Sequence, residues 1–249
     1  MESSPFPETL SGTKSLGGLS VFFPCYNDGG TIASMVISAS AAAQKVTEDY
    51  EVIVIDDGST DASREILRHL ERDDPDHVRL VFHEKNRGYG GALRSGFSSA
   101  TKEWVFYTDG DAQYNAMELT KLVAMAGPDV DWVQGFKIKR HDPLHRIIIG
   151  RVYHWMMKLM FNLKTCDVDC DFRLIRRSVL QKFELTQNSG VICLELVRKL
   201  QTAGARCVEV GVNHYHRTYG RSQFFNFRRI LAVGVGVLKL WWRLMILRK

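Results

Sequence analysis

From Leu19 onward, short β-rich runs alternate with segments whose apolar residues recur at helical spacing, and that alternation confines the chain to an α/β sheet with helices packed on it. Leu19 to Phe23 reads as a first strand, Glu51 to Ile55 as a second, Val78 to Phe82 as a third and Trp104 to Thr108 as a fourth. Between the first two, Ile32, Met35, Val36, Ala39, Ala43 and Val46 fall on one helical stripe. Ile66, Leu67 and Leu70 mark a second helix, and a third runs through Ala100 after a glycine-rich turn. No internal repeat and no linker divides this core. The length of 249 residues and a 45% hydrophobic content exclude a disordered chain and need no disulfide or structural metal for folding. The five scattered cysteines, without paired CxxC spacing, suit reduced thiols in a cytosolic compartment. Residues 1–17 read as a flexible tail, and Met1 to Lys14 has neither the apolar core of a signal peptide nor the character of a transit peptide.

Polar motifs follow successive strands at their carboxyl ends, where open α/β sheets bind ligands. Asp109-Gly110-Asp111-Ala112-Gln113 places two carboxylates and an amide oxygen on one turn directly after the fourth strand. Hard oxygen ligands of this kind recruit Mg²⁺ or Mn²⁺, which complete their shells with water and substrate phosphate oxygens. Asp56-Asp57-Gly58-Ser59-x-Asp61 closes the second strand. Its carboxylates suit ribose hydroxyls and base N–H groups, while turn formation and helix capping account equally well for Ser59 and Asp61. The glycines of Asn86 to Gly91 serve either close approach of backbone to a ligand or a tight strand-to-helix turn.

Pro24-x-Tyr26-Asn27-Asp28, the Asp56/Asp57 run, Asn86-x-Gly88-x-Gly90-x-Ala92 and Asp109-x-Asp111-x-Gln113 together resemble the family-2 glycosyltransferases with a GT-A fold, in order and in spacing. Within that family the chain is most similar to the polyprenyl-phosphate branch, which includes the dolichol-phosphate mannose synthases, over roughly residues 18 to 223. The resemblance implies an α/β fold of GT-A type: a Rossmann-like nucleotide-binding sheet with flanking helices, supplemented by amphipathic membrane-interface helices. It further implies that Pro24, Tyr26, Asp28, Asp56, Asp57, Gly88, Gly90, Ala92, Asp109, Gly110, Asp111, Arg217 and Arg221 bind the donor nucleotide sugar. Asp111 and Gln113 would hold the metal, and Asp109, Asp111 and Arg217 would be catalytic. Asp28 stands where the family usually carries Glu, a change that keeps the charge and shortens the reach. Arg217-x-x-Gly220-x-Ser222 is similar to a mobile family segment that meets the donor diphosphate, a task suited to the planar guanidinium fork. Lys137 and Arg146 fall where the branch has two basic residues for the acceptor phosphate, Lys137 replacing an arginine. Asp167 and Phe172-Arg173-Leu174 would form part of the acceptor-side wall. Glu195, where related transferases acting on sugar hydroxyls keep a general base, shares core spacing with Ile192, Leu196 and Leu200 and reads as structural, as do His214 and His216.

The net charge of +5 is a property of the tail. The last 40 residues carry eight Lys or Arg and no acid, leaving 25 basic against 28 acidic groups before them. Basic residues interleaved with Phe224, Phe225, Phe227, Trp241 and Trp242 suit the headgroup region of an anionic membrane better than nucleic acid. Ile147 to Phe161 is nearly all apolar except for Arg151, His154 and Lys158, which share a narrow face, and Ile230 to Leu247 resembles it with Lys239 and Arg243. Both are too interrupted to span a bilayer and read as interface helices, residues 147–161 within the 18–223 catalytic domain and 224–249 after it, with Lys and Arg stems reaching up to the headgroups. A buried core helix and a dimer contact are the plainer alternative, which leaves a second copy of the chain open as a partner. The expected activity is metal-dependent, inverting transfer of a sugar from GDP-mannose or a UDP-sugar to dolichyl or undecaprenyl phosphate at the cytoplasmic face of a membrane. A soluble transferase acting on a saccharide hydroxyl and a non-catalytic binding module are its rivals.

Overall fold

The computed structural model of the protein describes residues 16–138, 144–216 and 227–247, without the side chains of 144–149, 151 and 227–232. Seven strands form one sheet in the order β3-β2-β1-β4-β6-β5-β7. β1 (Leu19–Cys25), β2 (Tyr50–Asp56), β3 (Val78–Phe82) and β4 (Trp104–Thr108) run parallel, so their carboxyl ends share one edge of the sheet. β5 (Trp132–Lys137) and β7 (Cys207–Val212) are parallel to each other, whereas β6 (Phe172–Arg176) is antiparallel to both β4 and β5. The third and fourth strands have the bounds read from sequence. β1 and β2 each reach farther, to Cys25 and to Asp56, because their last residues still pair across the sheet.

The central strands are continuous apolar runs because both faces are covered. Successive side chains point to opposite faces. Val21, Phe23, Val52 and Val54 therefore meet α1 (Ile32–Gln44), α2 (Ser63–Asp73) and α4 (Leu119–Met125) in one core layer, the last helix following a short 3-10 turn at Ala116–Glu118. Phe22, Ile53, Ile55, Val105 and Tyr107 meet the other layer, built from α3 (Tyr89–Ser99), α5 (Leu144–Phe161), α6 (Arg177–Leu180), α7 (Val191–Thr202) and α8 (Phe227–Trp241). Gly96 lets α3 lie directly on β1, since a Cβ there would fall 2.2 Å from the Phe22 ring. Leu16 is buried and its N–H reaches the Val46 carbonyl, so the packed structure is already under way at residue 16. All five cysteines are free thiols.

The two helices expected at a boundary lie side by side: Trp241 Nε1 of α8 donates to the Met160 carbonyl of α5 at 2.9 Å. Among the described residues, no helix is long and apolar enough to cross a membrane. α5 turns Met157 and Phe161 inward and leaves Val152, Trp155, Met156 and Leu159 outside, spaced i, i+3, i+4 and i+7, with Trp155 71% and Leu159 75% exposed. α8 ends in a π-helical turn, Trp242–Ile246, and exposes Val235, Leu238, Trp242, Ile246 and Leu247. One part of the sequence expectation is corrected. Arg243 does not reach up beside Trp242 but points into the protein, where its Nη2 lies 2.6 Å from the fully buried Glu195 carboxylate. A carboxylate at that depth is stabilised by cationic partners, and Arg243 joins Lys199, which lies 2.9 Å from the same oxygen.

Candidate active site

The parallel strands deliver the first three motifs to one edge of the sheet. After β1 the chain turns through Asn27, whose left-handed backbone (φ 56°) is secured by bonds to the neighbouring loop: its N–H donates to Ser59 Oγ at 3.0 Å and its Oδ1 accepts from Thr60 N–H at 2.8 Å. Pro24 ends in contact with Gly110, where a Cβ would meet the Pro24 carbonyl oxygen at 2.0 Å. Only glycine allows the two loops that close, and the contact fixes the aspartate motif beside the β1 loop. Tyr26 is exposed at this edge, and Asp28 accepts from the Tyr26 N–H at 3.2 Å.

Asp56 and Asp57 have immediate duties within the chain. Asp56 is fully buried and bonded to Arg64 Nε at 2.6 Å and to the Ser59 N–H at 3.2 Å. Asp57 accepts from His83 Nδ1 at 2.6 Å, from the Arg87 N–H at 2.8 Å and from the Gly88 N–H at 2.9 Å. It therefore shapes the glycine turn from beneath, and His83 passes the connection on to Ser95 of α3 at 2.8 Å. Gly88 takes φ 82°, in the region glycine enters without steric penalty, and opens α3 with its carbonyl accepting from Ala92 N–H at 3.0 Å. Ala92 is buried in that first helical turn.

The antiparallel register of β6 brings a further carboxylate to this edge. Thr108 at the end of β4 faces Phe172 at the start of β6, so Asp109 and Asp171 emerge as neighbours although 62 positions separate them. Tyr89, from the glycine turn, bridges them: its hydroxyl lies 2.6 Å from Asp109 Oδ1 and 3.0 Å from Asp171 Oδ2. Behind it, Asp171 Oδ1 accepts from the completely buried Arg173 at 2.7 Å and from Tyr107 at 3.1 Å. Arg173 also donates to Gln134 Oε1 and to the Val168 carbonyl, each at 2.5 Å, so its charge is held by four partners with Tyr107 as the fourth. Desolvation, followed by the charges of Asp171 and Asp111, pushes Asp109 well above the ordinary carboxylate range. Burial raises Asp171 and Tyr89 as well.

Asp111 and Gln113 stand on the same loop. Ala112 between them adopts φ 58°, and Asp111 Oδ1 receives the Gln113 N–H at 3.2 Å. Gln113 pairs reciprocally with the segment beyond β7, its carbonyl accepting from Tyr215 N–H at 2.8 Å and its Nε2 donating to the Tyr215 carbonyl at 3.0 Å. His214 packs edge-on against Tyr114, ring centres 5.1 Å apart. Lys137, the last residue of β5, sends its Nζ to the Asp169 carbonyl at 2.7 Å, and its charge acts on both Asp109 and Asp171. Arg146 belongs to α5 with its side chain outside the described residues, and Arg217 and Arg221 lie wholly outside them.

Among the described residues no three His, Cys, Asp or Glu side chains converge as a complete metal cage. The donor set suits a hard divalent ion nonetheless. Asp109 and Asp111 are crowded on one turn with Asp171 behind, and their mutual repulsion favours a cation. Mg²⁺ and Mn²⁺ sites commonly draw one or two carboxylates from protein and the rest from water and phosphate.

Residues 20–183 match the family model Glycosyl transferase family 2, and the chain belongs to that family. An undecaprenyl-phosphate 4-deoxy-4-formamido-L-arabinose transferase of Yersinia enterocolitica is 26% identical over 215 residues, which cover 86% of this chain and 65% of that protein. The protein of the same description from Yersinia pestis is 26% identical over 212 residues, covering 85% and 64%. The chain thus spans a little under two thirds of the length of these relatives. Glucosyl-3-phosphoglycerate synthase from Mycobacterium tuberculosis, solved with phosphoglyceric acid, superposes with a TM-score of 0.66 at 20% identity, over 90% of this chain and 79% of that one. Its complex with Mn²⁺, UDP and glucosyl-3-phosphoglycerate gives a TM-score of 0.65 at 21% identity, over 90% and 78%. The fold is GT-A.

Proposed function

We propose that this family 2 member transfers a sugar from a nucleotide sugar to a polyprenyl phosphate, working as a monotopic protein on the cytoplasmic face of a membrane. The observation that carries the reading is the meeting, at one sheet edge, of the glycine turn, the Asp109/Asp111 loop and the Lys137 ammonium. The undecaprenyl-phosphate transferases among its relatives and the Mn²⁺ and UDP bound by its structural neighbour support the two substrate classes and the metal. The apolar stripe of α5 and its counterpart on α8 support a lipid surface as the place of work. Each fully buried apolar side chain is worth about 1.5–3 kcal/mol, so four or five of them give a useful hold on a bilayer.

A phosphate monoester changes what catalysis needs. Its second ionisation lies near ~6, so the attacking oxygen is already anionic at neutral pH and no general base is required. The chain must instead hold two anionic reactants together. Lys137, with Arg146, would orient the acceptor phosphate for displacement with inversion, while the Asp57-shaped turn and the loops after β1 and β2 grip the nucleoside. Asp111 and Gln113 would hold Mg²⁺ or Mn²⁺, whose chemistry when bound is to neutralise charge developing on the departing nucleoside diphosphate. Arg217 and Arg221 would add guanidinium donors to the same diphosphate.

The test is transfer from UDP- and GDP-sugars to a short polyprenyl phosphate in the presence of Mn²⁺, with 3-phosphoglycerate as a control acceptor. Asp111→Ala is expected to abolish transfer while the far-UV spectrum and melting temperature stay near wild type. Full activity of that variant in EDTA would remove the metal from the mechanism.

A further inference from the structure

A general base must have a lone pair free to take a proton, and Glu195 has none to spare. It sits on α7, fully buried, and its carboxylate receives five groups. Oε2 accepts from the N–H groups of Thr186 at 2.9 Å and Gln187 at 3.0 Å. Oε1 accepts from Thr186 Oγ1 at 2.9 Å, Lys199 Nζ at 2.9 Å and Arg243 Nη2 at 2.6 Å. A carboxylate offers about four acceptor sites, so this one is saturated by its own chain.

What those bonds hold is a stretch without strand or helix, residues 184–188, in which two consecutive backbone N–H groups are anchored to one carboxylate. The end of that stretch forms the outer wall of the glycine turn. The Asn188 carbonyl accepts from the Gly90 N–H at 3.0 Å, and Asn188 Oδ1 accepts from Arg94 of α3 at 2.9 Å. A Cβ at Gly88 would lie 2.5 Å from the Asn188 carbonyl oxygen, and one at Gly90 would lie 2.4 Å from that of Gln187. The wall and the turn are thus in van der Waals contact through backbone, which cannot give way as a flexible side chain could. The other two contacts on Glu195 come from Lys199 of the same helix and from Arg243, in the π-helical turn at the end of α8, whose outer face is the exposed apolar one.

We propose that Glu195 is a positioning residue for the donor turn, fixing Gly88 and Gly90 through the Thr186–Asn188 backbone, and that Arg243 completes the arrangement by tying the terminal helix to it. The inference rests on the proposed role of the glycine turn in binding the nucleotide sugar. It sets Glu195 apart from chemistry: the residue touches no substrate and acts through the wall it supports. It also makes the seating of α8 felt at the donor site.

The decisive variant is Arg243→Gln, at a partly exposed position where folding should survive. It is expected to raise the donor KM about five- to tenfold while kcat and the acceptor KM stay within twofold of wild type, and Arg243→Lys should recover most of the loss. Binding of UDP and of GDP with Mn²⁺, followed by calorimetry, should weaken by the same factor, a readout that does not depend on any acceptor. Glu195→Gln adds a second arm: positioning predicts weakened nucleotide binding with residual turnover, and a general base predicts unchanged nucleotide binding with turnover lost. The second pattern overturns the proposal, as does a donor KM for Arg243→Gln within twofold of wild type. Should Glu195→Gln fail to fold, the Arg243 variants decide alone. Failure of the wild type to transfer sugar to a polyprenyl phosphate would count against the proposed function, while the nucleotide-binding comparison would still judge the role of Glu195.

Discussion

Tyr89→Phe removes one oxygen from the bridge between the aspartate loop and the start of β6 while leaving the ring that packs against the core. The lost hydroxyl makes a 2.6 Å bond to Asp109 and a 3.0 Å contact to Asp171. A hydrogen bond to a charged group contributes about 1.5–3 kcal/mol, and each 1.4 kcal/mol is a factor of ten. If the bond serves to hold Asp109 where catalysis needs it, kcat/KM for the donor should fall between about tenfold and a hundredfold. The two carboxylates would then face each other without the hydroxyl that bridges them, so Mn²⁺ bound directly to the protein, measured by electron paramagnetic resonance, should change as well. Asp171→Asn keeps the shape and removes the charge. In a double-mutant cycle the two substitutions should be far from additive, since both act on one hydrogen-bonded unit. Steady-state kinetics in saturating Mn²⁺ provide the assay. A Tyr89→Phe enzyme with kcat/KM within twofold of wild type would refute the reasoning and reduce the bridge to a packing contact.

Two further outcomes follow from other parts of the molecule. Burial alone would raise Glu51, but bonds from Ser20 and Thr101 and the Arg79 guanidinium hold it below the ordinary glutamate range. Its pKa is thus lower folded than unfolded, so the stability it supplies is present above the unfolded value of about 4.3 and is lost as pH falls through and below it. Urea titrations should show Glu51→Gln less stable by about 1–3 kcal/mol at pH 7, with the difference from wild type shrinking below pH 4. A gap independent of pH would contradict this account. On the outer surface, Trp155→Asp with Leu159→Asp should lower binding to anionic phospholipid vesicles at least about a hundredfold, since losing two buried apolar side chains removes about 3–6 kcal/mol. Nucleotide binding should be unchanged, and vesicle binding equal to wild type would exclude this stripe as the lipid contact.

The sequence alone determined the sheet edge at which chemistry is expected. Hydrophobic period fixes β1 to β4 and the helices between them, and parallel crossovers force the turns after Cys25, Asp56 and Thr108 onto one edge, which groups Asp28, Asp57 and Asp109 there with Pro24 at the end of β1. Local spacing carries that information because neighbours in a βαβ unit are close in the chain. Tertiary structure decided what depends on distant pairing. Asp171 joins Asp109 only because Phe172 pairs with Thr108 in an antiparallel register, and a slip of one residue would turn its side chain to the other face. By sequence Arg243 reads as a stem reaching up to lipid headgroups, because sequence shows its charge and not its partner. The buried carboxylate that draws it inward lies 48 positions earlier, on a helix that reads as plain core. Long-range ion pairs and strand registers leave no periodic trace in a single sequence, since each is set by which two segments the core brings together.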